Sequence, residues 1–121
     1  IDKLHNKPLE IWGDGSAERE FIFSDDVANI LLKLLDNDIP TKLIVSNSVS
    51  VSIKELVNKL VKVSNFTNDI IWDTSKPNGQ LKRPSDTRLL KSLIDYNFTP
   101  LDESLKQSYE WFENNYLTAR K

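Results

Sequence analysis

The sequence predicts a small α/β domain, with about four helices and a few short strands. Three observations point to it. Short runs rich in strand formers alternate with longer segments whose apolar residues recur at helical spacing. The 121 residues are enough to bury a real core. The strands are too few and too short for a complete doubly wound sheet.

Leu9, Glu10, Ile11 and Trp12 alternate apolar and polar, as a half-buried strand does. Phe21, Ile22 and Phe23 are strand formers and read as a second strand. Two glycines and polar residues separate these runs, so a hairpin-like connection is expected. Ser24 is placed to cap a helix, with Asp25 and Asp26 in its first turn, where carboxylates suit the helix dipole. Val27, Ile30, Leu31, Leu34 and Leu35 then fall on one apolar face.

Leu43, Ile44 and Val45 read as a short buried strand. Ser52 and Glu55 have capping-box spacing, followed by Ile53, Leu56, Val57, Leu60 and Val61 on one helical face. Ile70, Ile71 and Trp72 form another short strand. Residues 74–84 are polar, carry Pro77, Gly79 and Pro84, and should be a loop. Asp86 or Thr87 can cap a short helix with Leu89, Leu90, Leu93 and Ile94 inward. Thr99 and Pro100 suit the cap and first position of a last helix, whose buried face would be Leu101, Leu105, Tyr109, Phe112 and Tyr116.

Sixteen basic residues against 18 acidic ones leave a net charge of −2, without the concentrated basic face that nucleic acid requires. No apolar run is long enough to cross a bilayer, and no signal-peptide pattern opens the chain. The absence of cysteine excludes disulfides, thiolate zinc sites and thiol nucleophiles. The single histidine, His5, cannot build a multi-histidine metal site; it reads as an exposed residue near a cut end. No metal site is expected, and a reducing, cytoplasmic location is the default. A start at Ile1 with no methionine anywhere suggests a piece of a longer protein.

Gly13, Asp14 and Gly15 raise the question of a phosphate cradle. A dinucleotide fingerprint needs a third glycine where Glu18 stands, and a helix rather than a strand after it. Asp14 and Glu18 would also repel a pyrophosphate, so a turn is the better reading. Asp25 and Asp26 are explained by helix capping and dipole complementarity rather than by acid–base work. Arg19 directly precedes a strand, where its fork could grip a phosphate or carboxylate; locally, a surface arginine paired with Glu18 or Glu20 is the simpler account. Lys76, Lys82 and Arg83 lie in or beside the 74–84 loop, where binding groups often sit, though solubility alone explains them. Trp12 could stack on a base, but filling core is the better local account.

Four segments carry a resemblance: "IWGDGSAEREFIFSDDVANILLKLL", "VSIKELVNKLVKVSNF", "IIWDTSKPNGQLKRPSDTRLL" and "LDESLKQSYEWFENN". In this order they resemble the C-terminal, substrate-binding part of an extended short-chain dehydrogenase/reductase of the NAD-dependent epimerase/dehydratase family. The Lys-Pro-Asn-Gly loop and the Tyr-x-Trp-Phe ending resemble its GDP-L-fucose synthase branch more narrowly. The resemblance implies that residues 1–121 are a substrate-binding lobe. An absent Rossmann half would hold NADP and carry the Ser/Tyr/Lys catalytic set. Trp12 and Arg19 match positions that contact the nucleotide, with the arginine near the diphosphate; Arg83, and after it Lys82, matches a basic position beside the same group. The family often ends this loop in Arg-Lys and Leu-Leu-Asp, whereas this chain has Lys82, Arg83, Pro84, Ser85 and Asp86.

The implied activity of the parent enzyme, with a homodimer as its implied assembly, is conversion of GDP-4-keto-6-deoxy-mannose and NADPH to GDP-L-fucose. The chain has no Tyr-x-x-x-Lys motif and no glycine fingerprint, so it contributes no catalytic residue and should be inactive alone, binding a GDP-sugar but no cofactor. The same lobe would serve another nucleotide-sugar 4-epimerase or 4,6-dehydratase. A reading of another class is a stand-alone, non-catalytic binding module, which predicts a well-behaved monomer, whereas a lobe predicts an exposed apolar patch and self-association.

Overall fold

The computed structural model describes residues 6–39 and 42–118, so His5 lies outside the described residues. The order is β1 (Leu9–Trp12), β2 (Glu18–Glu20), α1 (Ser24–Leu34), β3 (Ser50–Ser52), α2 (Ile53–Ser64), β4 (Ile70–Asp73), α3 (Arg88–Leu93) and α4 (Leu101–Asn115). This is the mixed α/β fold expected. Among the described residues no helix is long and apolar enough to cross a membrane.

The expected hairpin is not formed. β1 pairs in parallel with β4, from Leu9 opposite Ile70 to Trp12 opposite Asp73. β2 instead pairs antiparallel with β3, with Arg19 opposite Val51. The reason lies in where the turn's backbone groups go. The Gly13 amide donates to the Asp73 carbonyl at 2.8 Å, continuing the β1–β4 ladder. The Gly15 and Ala17 carbonyls accept from the Lys54 and Ile53 amides at 3.0 and 2.9 Å. The turn thus satisfies two amides at the start of α2 that would otherwise lack partners.

The second strand is displaced to residues 18–20. The ladder stops before Phe21, whose carbonyl accepts from the Asn47 side chain at 2.8 Å, and the Phe23 carbonyl already takes the first helical amide, from Val27. Residues 43–45 also fail to form a strand. They alternate as one, with Leu43 and Val45 half-buried and Ile44 exposed, but no described strand pairs with them.

The core joins Ile30 and Leu34 of α1 to Leu90 of α3, with Leu43, Val45, Leu93, Ile94, Tyr96 and Phe98 packed around them. It lies on one side of α1 only. Leu31 and Leu35, expected inside, are exposed, as is Leu32 between them. Leu89 and Phe112 also sit farther out than expected.

Capping was legible for α2 and in part for α3. The Ser52 hydroxyl accepts from the Glu55 amide at 3.0 Å. Ser24 does not cap α1: Phe23 holds the cap position, and the Ser24 hydroxyl reaches only Asp25, at 3.4 Å. Thr87 holds the cap position of α3, but its hydroxyl meets that of Ser48 at 2.6 Å while Asp86 accepts from the Arg88 amide. At α4 the cap position belongs to Pro100 rather than Thr99. Thr99 is engaged by Asp26, which is 4% exposed and therefore not the simple solvent-facing dipole partner expected.

Candidate functional site

The candidate site is an open face where the Gly13 turn meets the loop after β4. Gly13 and Gly15 have φ of 84° and 78°, values glycine adopts without strain. A Cβ on Gly15 would also lie 2.6 Å from the Trp72 ring. A Cβ on Gly13 would collide with the Asn78 carboxamide. These glycines serve a close approach of β4 and its loop, not of a ligand.

Two more of the turn's amides are occupied. The Asp14 amide donates to Asn78 Oδ1 at 2.8 Å, and the Ser16 amide donates to Asp14 Oδ1 at 2.8 Å. Hydrogen bonding from Ser16, side chain first, holds the Asp14 carboxyl below its ordinary range, so an anion sits in the turn already. This is not a pyrophosphate cradle, and the residues present do not fit the phosphates of NADP.

Trp12 ends β1 with its side chain outward. The residue is 67% exposed, so it does not fill core. The side-chain alternation of the strand leaves Leu9 and Ile11 half-buried on one face and Glu10 and the indole exposed on the other. The Lys76 ammonium stands over the indole, 5.7 Å from the ring centroid.

Arg19 is half-buried in the middle of β2. Its Nη1 donates to the Glu18 carbonyl at 2.6 Å and to the Gln80 carbonyl at 2.7 Å. The expected pairing with Glu18 or Glu20 does not occur. Glu18 pairs with Lys82 at 2.9 Å. Glu20 accepts from the Ser46 hydroxyl at 2.6 Å and the Ser85 amide at 3.1 Å, bonds that hold its carboxyl below the usual range. Among the described residues no carboxylate neutralises Arg19.

Arg83 is exposed and likewise forms no ion pair with a described residue. The loop therefore brings Lys76 beside Trp12 and Gln80 beside Arg19, while Lys82 is spent on Glu18. Asn78 and Gln80 were missed in the sequence. Pro77, Asn78 and Gly79 read there as turn chemistry, which is a true signal but names no partner.

An apolar groove of about 740 Å³ lies elsewhere, with Leu60, Val61, Phe66, Tyr109 and Phe112 on its walls. None of the candidate residues lines it. It offers no cluster of cations for a diphosphate, so the open face is the better candidate despite lacking depth. Among the described residues no group of His, Cys, Asp and Glu could hold a metal ion.

Residues 1–45 match the model of the NAD dependent epimerase/dehydratase family. A GDP-L-fucose synthase from Dictyostelium discoideum is 37% identical over 121 residues, which covers 97% of this chain and 38% of the relative. A dTDP-4-dehydro-6-deoxy-D-allose reductase from Streptomyces bikiniensis is 32% identical over 107 residues, covering 88% of this chain and 33% of the relative. The crystal structure of a GDP-L-fucose synthetase from Naegleria fowleri superposes with a TM-score of 0.88 at 31% identity, covering 99% of this chain and 38% of that one. The same protein bound to NADP superposes at 0.87, again at 31% identity, with 99% of this chain and 39% of that one covered. The chain thus spans well under half the length of the relatives it matches.

Proposed function

We propose that the chain belongs to the NAD dependent epimerase/dehydratase family, whose model its residues 1–45 match, and that residues 1–121 are the nucleotide-sugar-binding lobe of a GDP-L-fucose synthase-like enzyme. That enzyme would take GDP-4-keto-6-deoxy-mannose and NADPH to GDP-L-fucose, as a cytoplasmic homodimer. Trp12 would lie against the nucleoside, Arg19 would hold the diphosphate, and Arg83 would add charge beside it, ahead of Lys82, which is already paired with Glu18.

One observation carries this reading: the un-neutralised guanidinium of Arg19. Its two acidic neighbours are engaged by Lys82, Ser46 and Ser85, so the positive charge remains available to an anion. A half-buried arginine fixed by two carbonyls is pre-organised for a phosphate oxygen, because little freedom remains to be lost on binding. The lobe would bind and orient, while NADP and the proton-transferring groups would belong to the rest of the enzyme.

Calorimetric titration of GDP, UDP, CDP and dTDP against the protein that carries this chain tests the proposal. GDP should bind tightest. A preference for another base would move the lobe to a different nucleotide-sugar epimerase or dehydratase, and no binding of any nucleotide would leave a non-catalytic module.

A further inference from the structure

The 74–84 loop touches the strand-and-turn segment at alternate residues. Lys76 stands over Trp12, Asn78 bonds to the turn, and the Gln80 carbonyl takes Arg19. Leu81 and Lys82 continue the contact, accepting the Glu18 amide at 2.7 Å and pairing with the Glu18 carboxylate. Asn78 is central in this series. Its Oδ1 accepts the Asp14 amide at 2.8 Å, and its Nδ2 reaches the Ser16 hydroxyl at 3.4 Å. Among the described residues it is the one loop side chain hydrogen-bonded to residues 13–16. Gly79, next to it, has φ of 71°, a conformation glycine adopts without strain.

We propose that Asn78 is a positioning residue: its carboxamide pins the loop to the Gly13 turn and so sets the spacing between the Trp12 ring and the Arg19 guanidinium. Trp12 immediately precedes the turn and Arg19 follows it by a few residues, so a shift of the turn moves the two apart. The same shift separates Lys76 from the indole and Gln80 from the guanidinium. The value of this spacing to a ligand rests on the nucleotide-binding reading above; the pin itself does not.

Asn78→Ala and Asn78→Asp in the protein that carries this chain separate the two claims. Asp keeps the acceptor for the Asp14 amide, and Ala removes it. Amide hydrogen exchange without ligand reads the pin. Exchange across residues 11–20 and 74–84 should quicken in Asn78→Ala and return toward wild type in Asn78→Asp. Unchanged exchange in Asn78→Ala overturns the proposal.

GDP titration and steady-state kinetics read the positioning. The Kd for GDP and the KM for the GDP-sugar should rise about three- to tenfold in Asn78→Ala, the effect of one net hydrogen bond. The kcat and the KM for NADPH should stay level. A Kd for GDP unchanged in Asn78→Ala, or a KM for NADPH that rises with it, overturns the positioning role. If the wild-type protein binds no nucleotide, the functional reading falls and the positioning role falls with it, while exchange still decides the pin.

Discussion

The Asp26 carboxylate accepts both the backbone amide of Thr99, at 2.9 Å, and its hydroxyl, at 2.8 Å. This joins the first turn of α1 to the start of α4 across 73 residues of sequence. The Tyr96 hydroxyl adds a third bond to the same carboxylate at 3.0 Å. Burial, and then the bond to Asp26, pushes the Tyr96 hydroxyl pKa above its ordinary value. Asp26→Ala leaves three donors without their acceptor and should destabilise by about 3 kcal/mol. Asp26→Asn, which keeps acceptor oxygen, should cost less. Urea unfolding of the two variants checks the order; a midpoint unmoved by Asp26→Ala would show that the carboxylate is not needed.

Arg19 is the residue on which the proposed function turns. Arg19→Ala in the parent enzyme should raise KM for the nucleotide sugar by about ten- to a hundredfold, the equivalent of a charge-assisted hydrogen bond. The KM for NADPH should barely move. Steady-state kinetics with each substrate varied in turn distinguishes this from general damage: equal loss of both affinities contradicts the assigned role.

Asp86 gives the pH prediction. The side-chain hydrogen bond from Arg88, then its backbone amide, hold the Asp86 carboxyl down to about 2. Folded below its unfolded value, the group contributes stability that is present above the ordinary carboxyl range and lost as pH falls through about 2. Both side chains are well exposed, so solvent keeps that contribution small. The sharper readout is the titration itself. By NMR, Asp86 should titrate near 2 in the wild type and move back toward 3.8 in Arg88→Ala. An Asp86 midpoint indifferent to Arg88 would remove the pair as the cause.

Features that depend on neighbours in sequence were legible. Ser52 caps α2 because its hydroxyl needs only the amide three residues on. The helical spacing in α1 located the helix and named Ile30 and Leu34, although it named Leu31 and Leu35 equally. The Gly13 turn read correctly as a turn rather than a cradle, since neither the glycine spacing nor the charges fit a pyrophosphate. Arg19 stood out, but its expected partners were wrong because adjacent carboxylates in a strand point away from it.

By itself, then, the sequence determined local conformation: which segments become helices and where glycine must bend the chain. Tertiary structure decided partnership. It sent β1 to β4 and β2 to β3 instead of to each other, turned Trp12 outward, and gave Glu18 to Lys82 and Glu20 to Ser46, freeing Arg19. The physical reason is that periodicity and propensity describe what a segment can offer. Which donor meets which acceptor is set by competition among groups 26 to 73 residues apart, such as Ser46 with Glu20 and Thr99 with Asp26. Those distances close only when the chain has folded.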